Sequence, residues 1–213
     1  GDSAGGSAKS ARNRETQAIL PLRGKILNVA NASSAKLSQN QLLSDLIQAL
    51  GVGTGTKYRD DDLRYERVIV MTDADVDGAH IASLLITFFY QEMPELIENG
   101  HLYLAVPPLY KLTHGAKSVY ATTEAQRDAL LKKEFAANAK VEISRFKGLG
   151  EMNAQQLKET TMDPKNRTLL KVEIGEGDRS AISDAVNALM GSKPEARFRF
   201  IQERAAFATD LDI

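Results

Sequence analysis

Three carboxylates, Asp73, Asp75 and Asp77, occupy every second position in the stretch TDADVDGAHI and are followed at once by Gly78. Like charges held about 4 Å apart repel by roughly 4 kcal/mol per pair at an effective dielectric near 20, so the turn calls for a positive group. Mg²⁺ suits it, because this hard cation takes carboxylate oxygens, water and phosphate and needs few protein ligands. Two ions, held by Asp73 and Asp75, would stabilise the attacking and leaving oxygens of a phosphodiester exchange. A plainer role also exists, since acids favour helix N-termini; it accounts for one or two of the aspartates and is strained by three.

Two other chemistries use similar residues. The opening D-x-D-x-D-G matches an EF-hand calcium loop, but the twelfth position of such a loop must be a bidentate Glu, and here it is Leu84. A phospho-accepting receiver domain also gathers acids at strand ends. It leaves the basic N-terminal residues and the segment RFKGLGEM without a role, and rests on fold-level analogy alone.

The flanking sequence predicts what positions the aspartates. Residues 67–72 form a short β-branched strand, and Ile81, Leu84, Leu85, Phe88 and Phe89 recur at helical spacing over 79–92. HLYLAV, at 101–106, is a second strand stopped by Pro107 and Pro108. A strand–helix–strand order predicts a right-handed parallel unit, whose ligands bind at the carboxyl ends of its strands. The aspartates fall at such an end. Upstream, Gly5 and Gly6 read as a turn that offers free N–H groups to an anion, with a helix over about 8–18. A further helix over 40–50 carries Leu42, Leu43, Leu46, Ile47 and Leu50 and stops at Gly51. The loop GVGTGTKYRDDD lacks the Gly-Lys-Ser/Thr of a phosphate loop.

The character changes near residue 113. LYKLTHGAKSVYAT reads as a hairpin, and Thr123 with Gln126 as a capping box for a helix over 124–133. A helix over about 151–161, a turn at DPKNR, a helix through Ile182, Val186, Leu189 and Met190 to Gly191, and a last helix from Pro194 complete the chain.

Composition sets the bounds. With 213 residues, 43% of them hydrophobic, the chain can bury a core and a smaller appendage. The absence of Cys excludes disulfides, thiolate metal sites and cysteine nucleophiles. No apolar run is long enough to span a membrane, and GDSAGGSAKSARNR has no signal-peptide core; a cytoplasmic protein is expected. A net charge of -1 argues against simple DNA coating. Locally, however, Lys9, Arg12, Arg14, Arg23 and Lys25 face only Asp2 and Glu15. A basic strip beside a carboxylate cluster fits a polyanion held next to metal ions.

Six ordered motifs, GDSAGGSAK, PLRGKILNV, TDADVDGAHI, PPLYKL, RFKGLGEMN and TTMDPKNRTL, together resemble the Toprim and tail region of bacterial type IIA topoisomerase B subunits, from residue 1 to 213. Between the two bacterial members, the ending FIQERAAFATDLDI resembles topoisomerase IV more than gyrase. The resemblance implies an α/β Toprim fold over 1–113, a parallel sheet flanked by helices, and a smaller, mostly helical α+β tail over 114–213. It implies a site of one Glu and an Asp-x-Asp pair, which maps onto Asp73 and Asp75 as catalytic metal ligands, with Asp77 beside them and two Mg²⁺ ions bound. That Glu directly precedes GDSAGG in the family; because the chain starts at Gly1, the Glu and its strand are expected to be missing and the isolated chain inactive.

The resemblance further implies DNA contacts from Lys25, Asn28, His80, Arg197 and Lys147, and a quinolone pocket lined by Asp2 and Arg23. Lys and His reach phosphate oxygens, and Arg bridges them bidentately. The nucleophilic tyrosine belongs to the A subunit of an A2B2 assembly on double-stranded DNA, so Tyr110 is expected to pack between sheet and tail. ATP binds only in an N-terminal domain outside these residues. Two alternatives stand beside this: a non-catalytic scaffold that docks the A subunit, and a Toprim nuclease or primase.

Overall fold

A computed structural model describes residues 2–175, 177 and 179–207, with only the backbone of Asp2 and Ser3. Its centre is the strand–helix–strand unit. Strand β1 (Val68–Val70) pairs in parallel with β2 (Leu102–Ala105), Val68 opposite Leu102 and Val70 opposite Leu104. Between them, α4 (Val76–Glu92) buries Leu84, Leu85, Phe88 and Phe89. The two rings meet edge to face, 5.4 Å between centroids.

Before this unit come α1 (Asp2–Ala11), α2 (Ser34–Gln39) and α3 (Gln41–Leu50). Helix α3 starts where Asn40 accepts a hydrogen bond from the Leu43 N–H and ends at Gly51 with φ 81°. That left-handed position favours glycine. Leu43, Leu46 and Leu50 of α3 join Met93, Leu96 and Leu102 in the main core, with Leu96 and Ile97 supplied by the short α5 (Pro94–Glu98).

A second sheet follows. Strands β3 (Tyr110–His114) and β4 (Lys117–Ala121) form the expected hairpin, and β5 (Glu142–Arg145) adds to the other side of β3, giving the order β4-β3-β5. Helix α6 (Glu124–Glu134) covers it with Leu130 and Leu131. Thr123 caps α6 by accepting from the Gln126 N–H, whereas the Gln126 side chain accepts from Thr122 and not from Thr123. Tyr110 is buried, its hydroxyl donates to Glu124, and the Arg127 guanidinium lies 4.9 Å from its ring. Tyr110 thus packs between β3 and α6, in place of the expected position between the first sheet and the tail.

The remaining elements are α7 (Ala154–Leu157), continued by a π-type turn to Met162, β6 (Leu169–Lys171), α8 (Arg179–Met190) and α9 (Pro194–Arg204). The helix expected over 151–161 is therefore broken: Asn153 and Gln156 form a capping box that starts it afresh. Strand β6 was not expected, and it returns to the first sheet, antiparallel to β2, for the order β1-β2-β6.

The N-terminal helix lies earlier than expected, over Asp2–Ala11 in place of 8–18, with Gly5 and Gly6 inside it. Glycine is a poor helix former, but Ala8 and Ala11 are buried in a second core with Phe146, Leu149, Met152, Leu157 and Met162. Tertiary packing overrides propensity here, and the helix ends where Asn13 and Gln17 satisfy backbone N–H groups by side-chain bonds. This second core joins α1 to the tail, so the two parts share an interior. Residue 113 itself lies within β3. Among the described residues no helix is long and apolar enough to cross a membrane.

Candidate metal centre and nucleic-acid interface

The aspartate turn leaves the carboxyl end of β1 and enters α4. Asp75 is the N-cap: its Oδ1 accepts from the Gly78 N–H at 2.7 Å. Gly78 permits this turn, since a Cβ there would sit 1.9 Å from the Asp73 carbonyl oxygen. All three aspartates are exposed, but they face different partners.

Asp73 meets the tail. Its Oδ1 accepts from the Leu149 N–H at 2.7 Å, across 76 residues of sequence. Asp77 meets the basic N-terminal segment, its Oδ1 lying 2.8 Å from Lys25 Nζ. The hydrogen bond from the Lys25 ammonium, then its charge, hold the Asp77 carboxyl below its ordinary range. His80, exposed near the start of the same helix, adds a smaller effect of the same sign.

The other residues expected to contact DNA have partners of their own. Asn28 donates from Nδ2 to the Met190 carbonyl at 2.8 Å and caps its own turn through the Ala30 N–H. Arg197 donates to the Gly191 carbonyl. Both therefore spend polar atoms inside the protein, Asn28 tying its loop to α8 and Arg197 bracing the α8–α9 connection. Lys147 is exposed and its backbone N–H donates to Glu151 at 2.7 Å. Arg23 has an interaction within the protein, and the Asp2 side chain lies outside the described residues.

Residues 1–107 match the Toprim domain family, half of the chain. The chain belongs to the Toprim family. Residues 138–202 of this Toprim chain also match the family described as DNA gyrase B subunit, carboxyl terminus. Among curated proteins it is 66% identical over its whole length to the B subunit of DNA topoisomerase 4 from Bartonella bacilliformis, covering 31% of that protein. It is 66% identical to the topoisomerase 4 B subunit of Caulobacter vibrioides, covering 30%, and 50% identical to the DNA gyrase B subunit of Spiroplasma citri, covering 33%. The chain thus spans about a third of the length of the relatives it matches.

The donor set of the Toprim site can be tested against a hard cation. Asp73 and Asp75 each use Oδ1 within the protein, and neither Oδ2 has a hydrogen bond among the described residues. Among those residues no three His, Asp or Glu side chains gather as a ready cation site. Two carboxylate oxygens at one turn suit Mg²⁺, which keeps much of its water and shares its remaining positions with phosphate; they do not make a closed cage. Asp77 is turned to Lys25 and does not converge with the pair.

Sequence reasoning missed Gly148 and Leu149 as neighbours of Asp73, and the Lys25–Asp77 pair. The signal for the first was present in RFKGLGEM, where two glycines flank one buried leucine.

Proposed function

We propose that this chain is the Mg²⁺-binding Toprim and tail part of a bacterial type IIA topoisomerase B subunit, of the topoisomerase IV kind. Asp73 and Asp75 would hold the metal, which when bound supplies charge stabilisation for the scissile phosphate and its leaving oxygen. The nucleophilic tyrosine would come from an A subunit, and the pair of subunits would cleave and religate double-stranded DNA within an A2B2 assembly. ATP would bind elsewhere in the full-length protein.

The observation that carries the proposal is the meeting of three separate segments at one exposed turn: the Asp-x-Asp pair, the basic loop through Lys25, and the Lys147–Glu151 loop of the tail. Lys25, His80 and Lys147 are the groups proposed to touch phosphates. Asp77 would aim Lys25 and give it up to DNA, since an ion pair this exposed to solvent is weakly held. Asn28 and Arg197 serve the same surface by fixing the loops behind it, and Asp2 with Arg23 remains the proposed quinolone pocket.

Duplex binding tests the DNA surface. In the full-length protein assembled with its A subunit, Lys25→Ala and Lys147→Ala should each lower the slope of log affinity against log salt by about 0.9. An unchanged slope in both would remove these lysines from the interface.

A further inference from the structure

We infer that Gly148 and the backbone N–H of Leu149 are positioning elements for Asp73, so that the tail sets the carboxylate geometry of the metal site. The inference rests on the metal role proposed for Asp73 and goes beyond it by assigning a task to residues of the other domain family.

The main observation is steric. A Cβ on Gly148 would stand 2.8 Å from both Cγ and Oδ1 of Asp73, and 3.2 Å from Oδ2. Contacts under 3.0 Å are essentially never made by real Cβ atoms, so a side chain at 148 would displace the Asp73 carboxylate, the far end of an exposed and flexible side chain, from this rotamer. Backbone conformation does not explain this glycine. Its φ of -172° and ψ of 176° are ordinary extended values, open to any residue. Room for Asp73 is what the position provides.

The second observation is anchoring. Leu149 is 5% exposed in the core shared by α1 and the tail, and Met71, two residues before Asp73, packs against that same core. Both ends of the 2.7 Å hydrogen bond are therefore tied to one set of side chains. The loop is also braced by the bond from the Lys147 N–H to Glu151. A carboxylate on an exposed turn samples several rotamers at little cost. Here one oxygen is fixed by a neutral donor, and the missing side chain at 148 leaves the carboxylate room in that rotamer, with Oδ2 free of hydrogen bonds among the described residues. Residues that orient a ligand in this way are worth roughly 10–100-fold in metal affinity.

The experiment uses the full-length protein that contains this chain, with Mn²⁺ alone as the probe and free ion followed by electron paramagnetic resonance. Gly148→Ala should weaken Mn²⁺ binding about 10–100-fold, while Asp73→Asn serves as the reference for the metal role. In DNA cleavage with the A subunit, Gly148→Ala should raise the Mg²⁺ concentration needed for half-maximal cleavage and leave the plateau at saturating Mg²⁺ near that of the parent. A residue needed only for folding would lower the plateau instead, which would overturn the inference. A metal-free thermal cycle tests the contact separately: Gly148→Ala should lower Tm in the parent and clearly less in an Asp73→Ala background, where the clashing carboxylate is gone. Equal losses in both backgrounds would overturn the inference. If Asp73→Asn leaves Mn²⁺ binding intact, the metal role falls and the inference with it. If Asp73→Asn abolishes binding and Gly148→Ala does not weaken it, the inference alone fails.

Discussion

Substituting Gly78 by alanine sets two opposed effects against each other. At most helical positions the change would gain about 1 kcal/mol of helix propensity. Here the new Cβ would lie 1.9 Å from the Asp73 carbonyl oxygen and 2.7 Å from the carbonyl carbon. Non-bonded carbon contacts are optimal near 3.5–4.0 Å, so the turn must open by roughly 1.5 Å. Overpacking against rigid backbone costs about 1–3 kcal/mol. The same movement pulls Asp75 off the Gly78 N–H, a cap worth about 1 kcal/mol. The steric and capping losses exceed the propensity gain, for a net destabilisation of roughly 1–3 kcal/mol. At about 2–4 °C per kcal/mol for a chain of this size, Tm should fall by roughly 2–12 °C. Gly6 is the matched control: it is exposed within α1 and a Cβ there would meet nothing within 4 Å. Gly6→Ala should therefore stabilise by about 0.5–1 kcal/mol. Urea unfolding of the metal-free variants, followed by circular dichroism, measures both. A neutral or stabilising Gly78→Ala beside a normal Gly6→Ala would refute the turn geometry and with it the placement of Asp73 and Asp75.

Three further outcomes are expected. Carbon NMR of the Asp77 carboxyl should show a midpoint below the ordinary aspartate range, rising toward that range in Lys25→Ala; a midpoint unmoved by Lys25→Ala would show that the pair does not form in solution. The sign follows from the lowered folded value: the stabilisation from this pair is present above the unfolded value and is lost as pH falls through the folded one. Phe88 is fully buried beside Phe89, so Phe88→Ala should cost about 3–5 kcal/mol in urea unfolding, and a loss below about 1 kcal/mol would contradict the core assignment. Gly51→Ala should destabilise by about 1–2 kcal/mol because φ is 81° there, and unchanged unfolding would show that α3 ends in another way.

Much of the central unit was legible because its signals are local. The apolar run before Asp73 and the stripe Leu84, Leu85, Phe88, Phe89 give the parallel pair and α4 directly, since each period is fixed within a few residues. Gly51, Thr123 and Pro194 marked helix ends by their own backbone chemistry. What sequence could not show depends on distant partners. Gly5 and Gly6 read as a turn because their own propensity says so, and only the packing of Ala8 and Ala11 against Leu157 and its neighbours makes them helical. Strand β6 is three residues long and exists through pairing with β2, a contact that no local pattern announces. The candidate site divides in the same way. The aspartates were visible as a cluster, but their separation onto Leu149, Gly78 and Lys25 arises from three segments that meet only in the fold.

Asp73 is proposed to serve a metal-dependent DNA cleavage centre. The most direct test of that role is Mg²⁺-dependent formation of tyrosine-linked DNA by the full-length protein joined to its A subunit, comparing the parent with Asp73→Asn. Linked DNA that requires Mg²⁺ and falls to background in Asp73→Asn is the result expected. Cleavage by Asp73→Asn at the level of the parent would contradict it and favour the scaffold role for this chain.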